Sequence, residues 1–217
     1  YNYSKLSPEK QHDFLRAYYG QDGLNYSWGR VSVGSNDFCL KPFEYTKRSD
    51  MSDFSIAHDE KWVIPMLQDI QKFRKKEGLK EELTLIASPW SPPSYLKSTG
   101  MTRFGGSLLW WKYDDYAKYL RRWYDSYAEQ GIKIHYLSPQ NEPHAVQIWE
   151  SCVYSAAGLK RLTYKYLCKE FKDTDLRFLL WDHNKPDLVK MAQKLLRGMY
   201  VTKFGRGKQV AGICYHW

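Results

Sequence analysis

Asn141 and Glu142 stand side by side in the run Leu137-Ser138-Pro139-Gln140-Asn141-Glu142-Pro143. The residues before them, Gly131-Ile132-Lys133-Ile134-His135-Tyr136, alternate apolar and polar as a strand does. The pair is thus presented where a strand ends, and Pro143, which has no N–H to give, blocks the ladder from continuing. A carboxyl at such a tip can give or take a proton, and the adjacent amide can hydrogen-bond a hydroxyl. That combination suits acid/base chemistry on a sugar. An ordinary strand-ending turn with a solvated Glu would read the same way, so the surrounding elements have to decide.

Those elements alternate. Ser7 caps a helix with Pro8 in its first turn, predicted to run to about Tyr19. A strand follows over Tyr26–Val33, then a long polar loop through Phe54 and a helix from about Asp59 to Lys76. Leu83–Ser88 reads as an apolar strand, Trp90–Leu109 as a Pro/Gly-rich loop, and Tyr113–Glu129 as a helix leading to the strand before Glu142. The remainder reads as helix Ala156–Phe171, strand Leu176–Trp181, helix Pro186–Met199 and strand Val210–His216. Alternating strands and helices of this size imply parallel βαβ units, and near-continuous apolar strands fit a sheet covered on both faces. No Gly-x-Gly-x-x-Gly follows a strand and no Gly-x-x-x-x-Gly-Lys-Ser/Thr occurs, which argues against a nucleotide-binding open sheet. Polar and aromatic residues instead collect where strands finish: Asp37, Trp90, Glu142, Asp182 and His216. A barrel of parallel strands builds its active site at that one rim. The expected fold is α/β, a (β/α)8 TIM barrel that is incomplete, since five strands are predicted and a barrel needs eight.

Composition narrows the function classes. The chain is long enough, at 217 residues, for one domain with a sizeable core, and its 43% hydrophobic content is that of a globular protein. No apolar run is long enough to span a membrane. The net charge of +9 raises the question of a polyanion. Its densest cluster, Lys72-Phe73-Arg74-Lys75-Lys76, ends a predicted helix, where cations complement the dipole and are expected to be solvated, so no nucleic-acid partner is expected. Cys39, Cys152, Cys168 and Cys214 are too scattered for a zinc site and are expected as buried free thiols; no metal and no other cofactor is expected. Compartment stays open. The nine Trp and eighteen Tyr offer flat apolar faces of the kind sugar rings stack on.

Four stretches together resemble the catalytic barrel of glycoside hydrolase family 30, the group of glucosylceramidases and endo-β-1,6-glucanases. They are Gly29-Arg30-Val31-Ser32-Val33-Gly34-Ser35-Asn36-Asp37-Phe38, Ala87-Ser88-Pro89-Trp90-Ser91-Pro92-Pro93-Ser94-Tyr95-Leu96-Lys97, Gln140-Asn141-Glu142-Pro143 and Tyr215-His216-Trp217. They occur in the family's order and span nearly the whole chain. The resemblance implies a retaining β-glycosidase acting on a β-linked glucoside or glucan through two carboxylates. Glu142 would be the general acid/base, and Asn141 would hydrogen-bond the sugar's 2-hydroxyl. Asp37 would bind hydroxyls, Trp90 would pack against the ring, and His216 and Trp217 would line the pocket. Asp182 resembles a rim carboxylate of less defined role. Arg30 is expected to pair with carboxylates at the rim, a plain structural salt bridge being the alternative. Trp110, Trp111 and Trp149 could extend an aglycone or further sugar subsite, or simply pack. The family's nucleophile is a Glu ending the seventh strand, whereas this chain stops after what resembles the sixth, so none is assigned. Residues 1–217 are therefore expected to be an internal piece holding about strands two to six, with the first, seventh and eighth strands and any β-sandwich domain outside it. The competing reading is a truncated, catalytically inactive carbohydrate-binding remnant.

Overall fold

The computed structural model describes residues 1–79, 83–198 and 209–216. At its centre lies a parallel sheet in which each strand pairs with its neighbour in sequence: β1 (Trp28–Val33), β2 (Thr84–Pro89), β3 (Tyr136–Leu137), β4 (Arg177–His183) and β5 (Val210–Tyr215). Helix α1 (Pro8–Tyr19) precedes β1, and α2 (Ala57–Lys76) and α3 (Tyr113–Glu129) form the next two crossovers. The β3–β4 crossover is α4 (Ala156–Arg161), a π-helical turn (Leu162–Leu167) and α5 (Cys168–Glu170); α6 (Leu188–Leu196) leads toward β5. Strict sequential order with helical crossovers is the winding of a TIM barrel, whereas a doubly wound sheet reverses direction. The fold is that of a (β/α)8 barrel, of which five strands lie in the described residues.

Local chemistry accounts for the elements. Ser7 accepts from the Lys10 N–H and Pro8 opens α1, as its sequence predicts. On α3, Tyr116, Tyr119, Leu120, Trp123 and Tyr127 recur at helical spacing and are all buried. Ile64, Leu67, Ile70 and Phe73 do the same on α2. These stripes meet Val31 and Val33 of β1 and Leu85 and Ala87 of β2 in one core. Burial alternates over Val31–Val33 of β1, Thr84–Ala87 of β2 and Arg177–Leu180 of β4, so along these stretches the helices cover one face of the sheet. The opposite face, with Ile86 and Leu179, is half exposed among the described residues, which differs from the expected cover on both faces.

Three further expectations shift. The strand expected over Gly131–Tyr136 reduces to a ladder at Tyr136–Leu137, because Gly131 takes φ +73° and Ile132 N–H returns to the Tyr127 carbonyl, so these residues close α3. The helix expected over Ala156–Phe171 contains the π-helical turn, where Thr163 also bonds back to the Leu159 carbonyl. The basic end of α2 is not wholly solvated: Arg74 is buried and donates to the Tyr19 and Tyr26 carbonyls and to Asn25, pinning the α1–β1 connection. The end of the expected helix at Met199 lies outside the described residues. Cys152 and Cys168 are buried, and Cys39 and Cys214 are half-buried. No described helix is long and apolar enough to cross a membrane.

Candidate active site

Because the strands are parallel and in register, their C-terminal ends share one rim, and each strand supplies a polar side chain there. Arg30 rises from β1, Ser88 from β2, Asn141 and Glu142 follow β3, Asp182 lies near the end of β4, and His216 follows β5. Asp182 is the hub. It is 4% exposed, and both its oxygens accept from Arg30 Nη2, at 3.0 and 2.9 Å. Ser88 Oγ donates to Asp182 Oδ2 at 2.8 Å and accepts from Arg30 Nε at 3.2 Å. The same Arg30 Nη2 donates to Asn141 Oδ1 at 2.9 Å. That contact fixes the Asn141 amide with its oxygen toward Arg30, so its two N–H groups are free to face a hydroxyl.

His216 links the hub to Glu142. Its Nε2 lies 3.2 Å from Glu142 Oε1 and its Nδ1 lies 3.4 Å from Asp182 Oδ1. Bonding to Asp182, reinforced by Glu142 and opposed by partial burial and Arg30, raises the imidazole above its ordinary value. For Asp182, burial pushes the carboxyl upward, but the hydrogen bond from His216, the Arg30 charge and the Ser88 and Ser138 hydroxyls outweigh it and hold it below the usual aspartate value.

The backbone is shaped to make this possible. Glu142 has φ +48°, and Trp181 and Asp182 have φ +82° and +46°, a region that costs L residues energy and clusters at functional sites. The two bends are joined: Glu142 N–H donates to the Asp182 carbonyl at 2.9 Å. Asn141 N–H continues the β2 edge by bonding the Pro89 carbonyl, and His216 N–H bonds the His183 carbonyl. Gln140 is buried, and its Nε2 donates to the carbonyls of Trp90 and Asn141 at 2.7 and 2.8 Å, tying two rim loops together.

The structure thus brings together Arg30, Asn141, Glu142, Asp182 and His216. Trp90 is adjacent but 8% exposed, with the Arg30 guanidinium 4.8 Å from its ring centroid, so one ring face is occupied by a cation–π contact. Asp37 is exposed in the turn after β1, outside the network; Asn36 makes the local turn there by accepting from Phe38 N–H. Trp217 lies outside the described residues. Sequence reasoning gave no role to Ser88 or Gln140, although both sit inside the quoted motifs. A Ser at a strand's end and a Gln beside the Asn141–Glu142 pair were the available signals. Among the described residues no group of three or more His, Cys, Asp or Glu is placed to hold a metal.

The whole chain, residues 1–217, matches the glycosyl hydrolase family 30 TIM-barrel domain. The chain belongs to that family. It is 26% identical to the lysosomal acid glucosylceramidase of Mus musculus over 231 residues, covering 100% of this chain and 43% of the mouse protein. Among solved structures, SrfJ from Salmonella typhimurium superposes with a TM-score of 0.87 at 28% identity, over 99% of this chain and 47% of SrfJ. The endo-β1,6-glucanase BT3312 superposes with a TM-score of 0.84 at 24% identity, over 100% of this chain and 48% of that one, a likeness of fold. The chain spans about two fifths of the length of the curated relatives it matches.

Proposed function

We propose that this glycoside hydrolase family 30 chain carries the acid/base half of a retaining β-glycosidase that hydrolyses β-linked glucosides such as glucosylceramide or a β-1,6-glucan. The observation that carries the reading is the Asn141–Glu142 pair, bent into the rim by a positive φ and held by Arg30, Ser88, Asp182 and His216 from the four other strands. In this reading Asn141 N–H groups bind the sugar's 2-hydroxyl, and Glu142 protonates the departing oxygen and then activates water. His216, which shares its two nitrogens between Glu142 and Asp182, orients the acid/base carboxyl. Double displacement needs a second carboxylate about 5 Å away to attack the anomeric carbon. Asp182 is unsuited to that role, since Arg30, Ser88 and His216 already occupy its oxygens. The nucleophile is therefore a carboxylate other than Asp182. The mouse relative's name supports the glucoside, and the fold of the glucanase is compatible with a glucan.

The test uses the full-length protein and Glu142→Gln. Hydrolysis of glucosides with poor leaving groups should fall by about 10²–10⁴-fold, the usual contribution of a positioned acid/base. A dinitrophenyl β-glucoside, whose leaving group needs no proton, should keep its glycosylation burst. Equal turnover of both substrates by wild type and variant would remove Glu142 from the role. A wild type without turnover on any β-glucoside would favour the inactive-remnant reading.

A further inference from the structure

We infer that Gln140 is a positioning residue for the Glu142 carboxyl: its carboxamide grips the Asn141–Glu142 peptide in the orientation that keeps Glu142 bent into the rim. The catalytic consequence rests on the acid/base reading of Glu142; the grip itself rests on geometry alone. Glu142 has φ +48°, a left-handed conformation in which the Cβ of an L residue crowds its own backbone. Glycine visits that region readily, and asparagine or aspartate on occasion. A glutamate stays there only where its surroundings over-determine it. Those surroundings are visible. The peptide plane joining Asn141 to Glu142 is held at both ends: its N–H donates to the Asp182 carbonyl at 2.9 Å, and its C=O accepts from Gln140 Nε2 at 2.8 Å. On either side, Asn141 N–H donates to the Pro89 carbonyl at 2.8 Å and the Glu142 carbonyl accepts from Ala145 N–H at 2.9 Å. Three of these four bonds join backbone to backbone. Gln140 supplies the one made by a side chain.

A carboxamide suits the place. Gln140 is buried, and the Nε2 that holds the Asn141 carbonyl gives its other hydrogen to the Trp90 carbonyl at 2.7 Å. The loop after β2 is thus the anchor, and the Asn141–Glu142 peptide is what it anchors. Turned over, the carboxamide would set Oε1 against two carbonyl oxygens, so the surroundings fix which way it points. A carboxylate at this position would repel both carbonyls. An alkyl chain would leave both without this donor in a buried place, where an unmet carbonyl is costly. The torsion φ at Glu142 is a rotation away from that peptide plane, so a plane free to rock lets the bend relax toward negative φ. The contact between Glu142 Oε1 and His216 Nε2, 3.2 Å in the structure, then loosens with it. A general acid must stand within hydrogen-bond reach of the departing oxygen, and a misplacement of about 1 Å can cost roughly 10²-fold in rate.

The test compares full-length wild type with Gln140→Met, which keeps the side chain's length and removes both donors. The readout is kcat/KM, which reports glycosylation, for an alkyl β-glucoside and for a dinitrophenyl β-glucoside, whose leaving group needs no proton. The alkyl glucoside should lose about tenfold or more, part of the roughly 10²–10⁴-fold that a positioned acid/base contributes, while the dinitrophenyl glucoside stays within about threefold. Equal losses on both substrates would make Gln140 a general support of the rim, and no loss on either would leave it without a role; both results overturn the inference. If Gln140→Met does not fold, Gln140→Glu takes its place. Its carboxyl can donate to a carbonyl only while protonated, so the ratio of variant to wild type on the alkyl glucoside should fall as pH rises, and a ratio flat with pH overturns the inference. A wild type that hydrolyses neither substrate defeats the glycosidase reading, and the crystal structure of the folded variant then decides the grip: a Glu142 φ turned negative upholds it, and a retained positive φ overturns it.

Discussion

Ser88 offers a sharp test of whether the rim network is electrostatic or merely packed. Its side chain is fully buried; Oγ donates to Asp182 Oδ2 at 2.8 Å and accepts from Arg30 Nε at 3.2 Å. Ser88→Ala deletes one hydrogen bond to an ionised group, worth about 1.5–3 kcal/mol. The gap left is one oxygen atom, too small to admit water to the carboxylate. Arg30 also loses an acceptor, but its side chain is 37% exposed, so water can replace that contact and the extra loss is small. The net expectation is about 1.5–3 kcal/mol of stability lost near pH 7. The cost should depend on pH in one direction. The folded Asp182 carboxyl lies below its unfolded value, so its contribution is present above the unfolded aspartate value of about 3.9 and is lost as pH falls through the folded one. Ser88→Ala moves the folded value back up. The difference between wild type and variant should therefore be full at pH 6–7 and shrink as pH drops below the ordinary aspartate range of about 3.9. The assay is denaturant unfolding of the full-length protein across pH, followed by near-ultraviolet dichroism of the many tryptophans. A cost that is constant with pH, or below about 0.5 kcal/mol throughout, would show that Ser88 only fills space and that Asp182 does not depend on it.

Three shorter predictions follow from the same geometry. His216 is raised by its carboxylate partners, so its contribution is full below its unfolded value of about 6.5 and is lost as pH rises through the folded one. His216→Gln should cost about 1–2 kcal/mol at pH 5 and little at pH 9; a larger loss at alkaline pH would contradict the assignment. Lys97 is buried, and its Nζ joins the β2 and β3 loops by donating to the carbonyls of Thr102 and Ser151, at 3.1 and 2.5 Å. Burial lowers its ammonium, so wild-type stability should rise with pH in the alkaline range below the unfolded lysine value of about 10.4. Lys97→Met should abolish that slope while costing about 1–3 kcal/mol at pH 7 for the orphaned carbonyls, measured by thermal unfolding. Asp37 is exposed and outside the network, so Asp37→Ala should change stability by less than about 0.5 kcal/mol while cutting kcat/KM on a β-glucoside about 10–100-fold; unchanged kinetics would remove Asp37 from substrate binding.

What could be read in advance was whatever depends on local pattern. Helix α3 was legible to the residue because its aromatic stripe, Tyr116 to Tyr127, fixes one face and Gly131 supplies the left-handed exit. The parallel winding was legible because strands and helices alternate at crossover lengths. Ile132 and Ile134 misled, because apolar alternation signals burial, and these residues are buried beneath the helix exit without joining the ladder. The π-helical turn at Leu162–Leu167 leaves no periodic mark, since one extra residue in a helix preserves the apolar count. At the site, the residue types were legible and the partnerships were not. Arg30 and Asp182 are separated by 152 positions and Ser88 and Asp182 by 94, so only the shared rim of neighbouring strands makes them partners. Asp37 and Trp90 show the converse: the motif names them, while the fold sets Asp37 in solvent and stacks Trp90 on Arg30.

The distribution of the network is itself an argument about its purpose. If stability were the purpose, a barrel rim would do as well or better with packed aliphatic side chains, because burying ion pairs costs desolvation that their attraction roughly offsets. The sheet already has a dense core on its helical face, built from α2, α3 and the outward side chains of β1 and β2. Yet one polar group comes from every described strand, and the positive φ angles at Glu142, Trp181 and Asp182 add a cost of order 1–3 kcal/mol each. What the arrangement does achieve is directional. Arg30 turns the Asn141 amide outward, Asp182 holds Arg30 and His216 in place, and His216 holds Glu142. Every chain of contacts ends on the two residues with free hydrogen-bonding capacity at the rim. A network that spends stability on orientation is what the proposed roles of Glu142 as acid/base and Asn141 as hydroxyl binder would require.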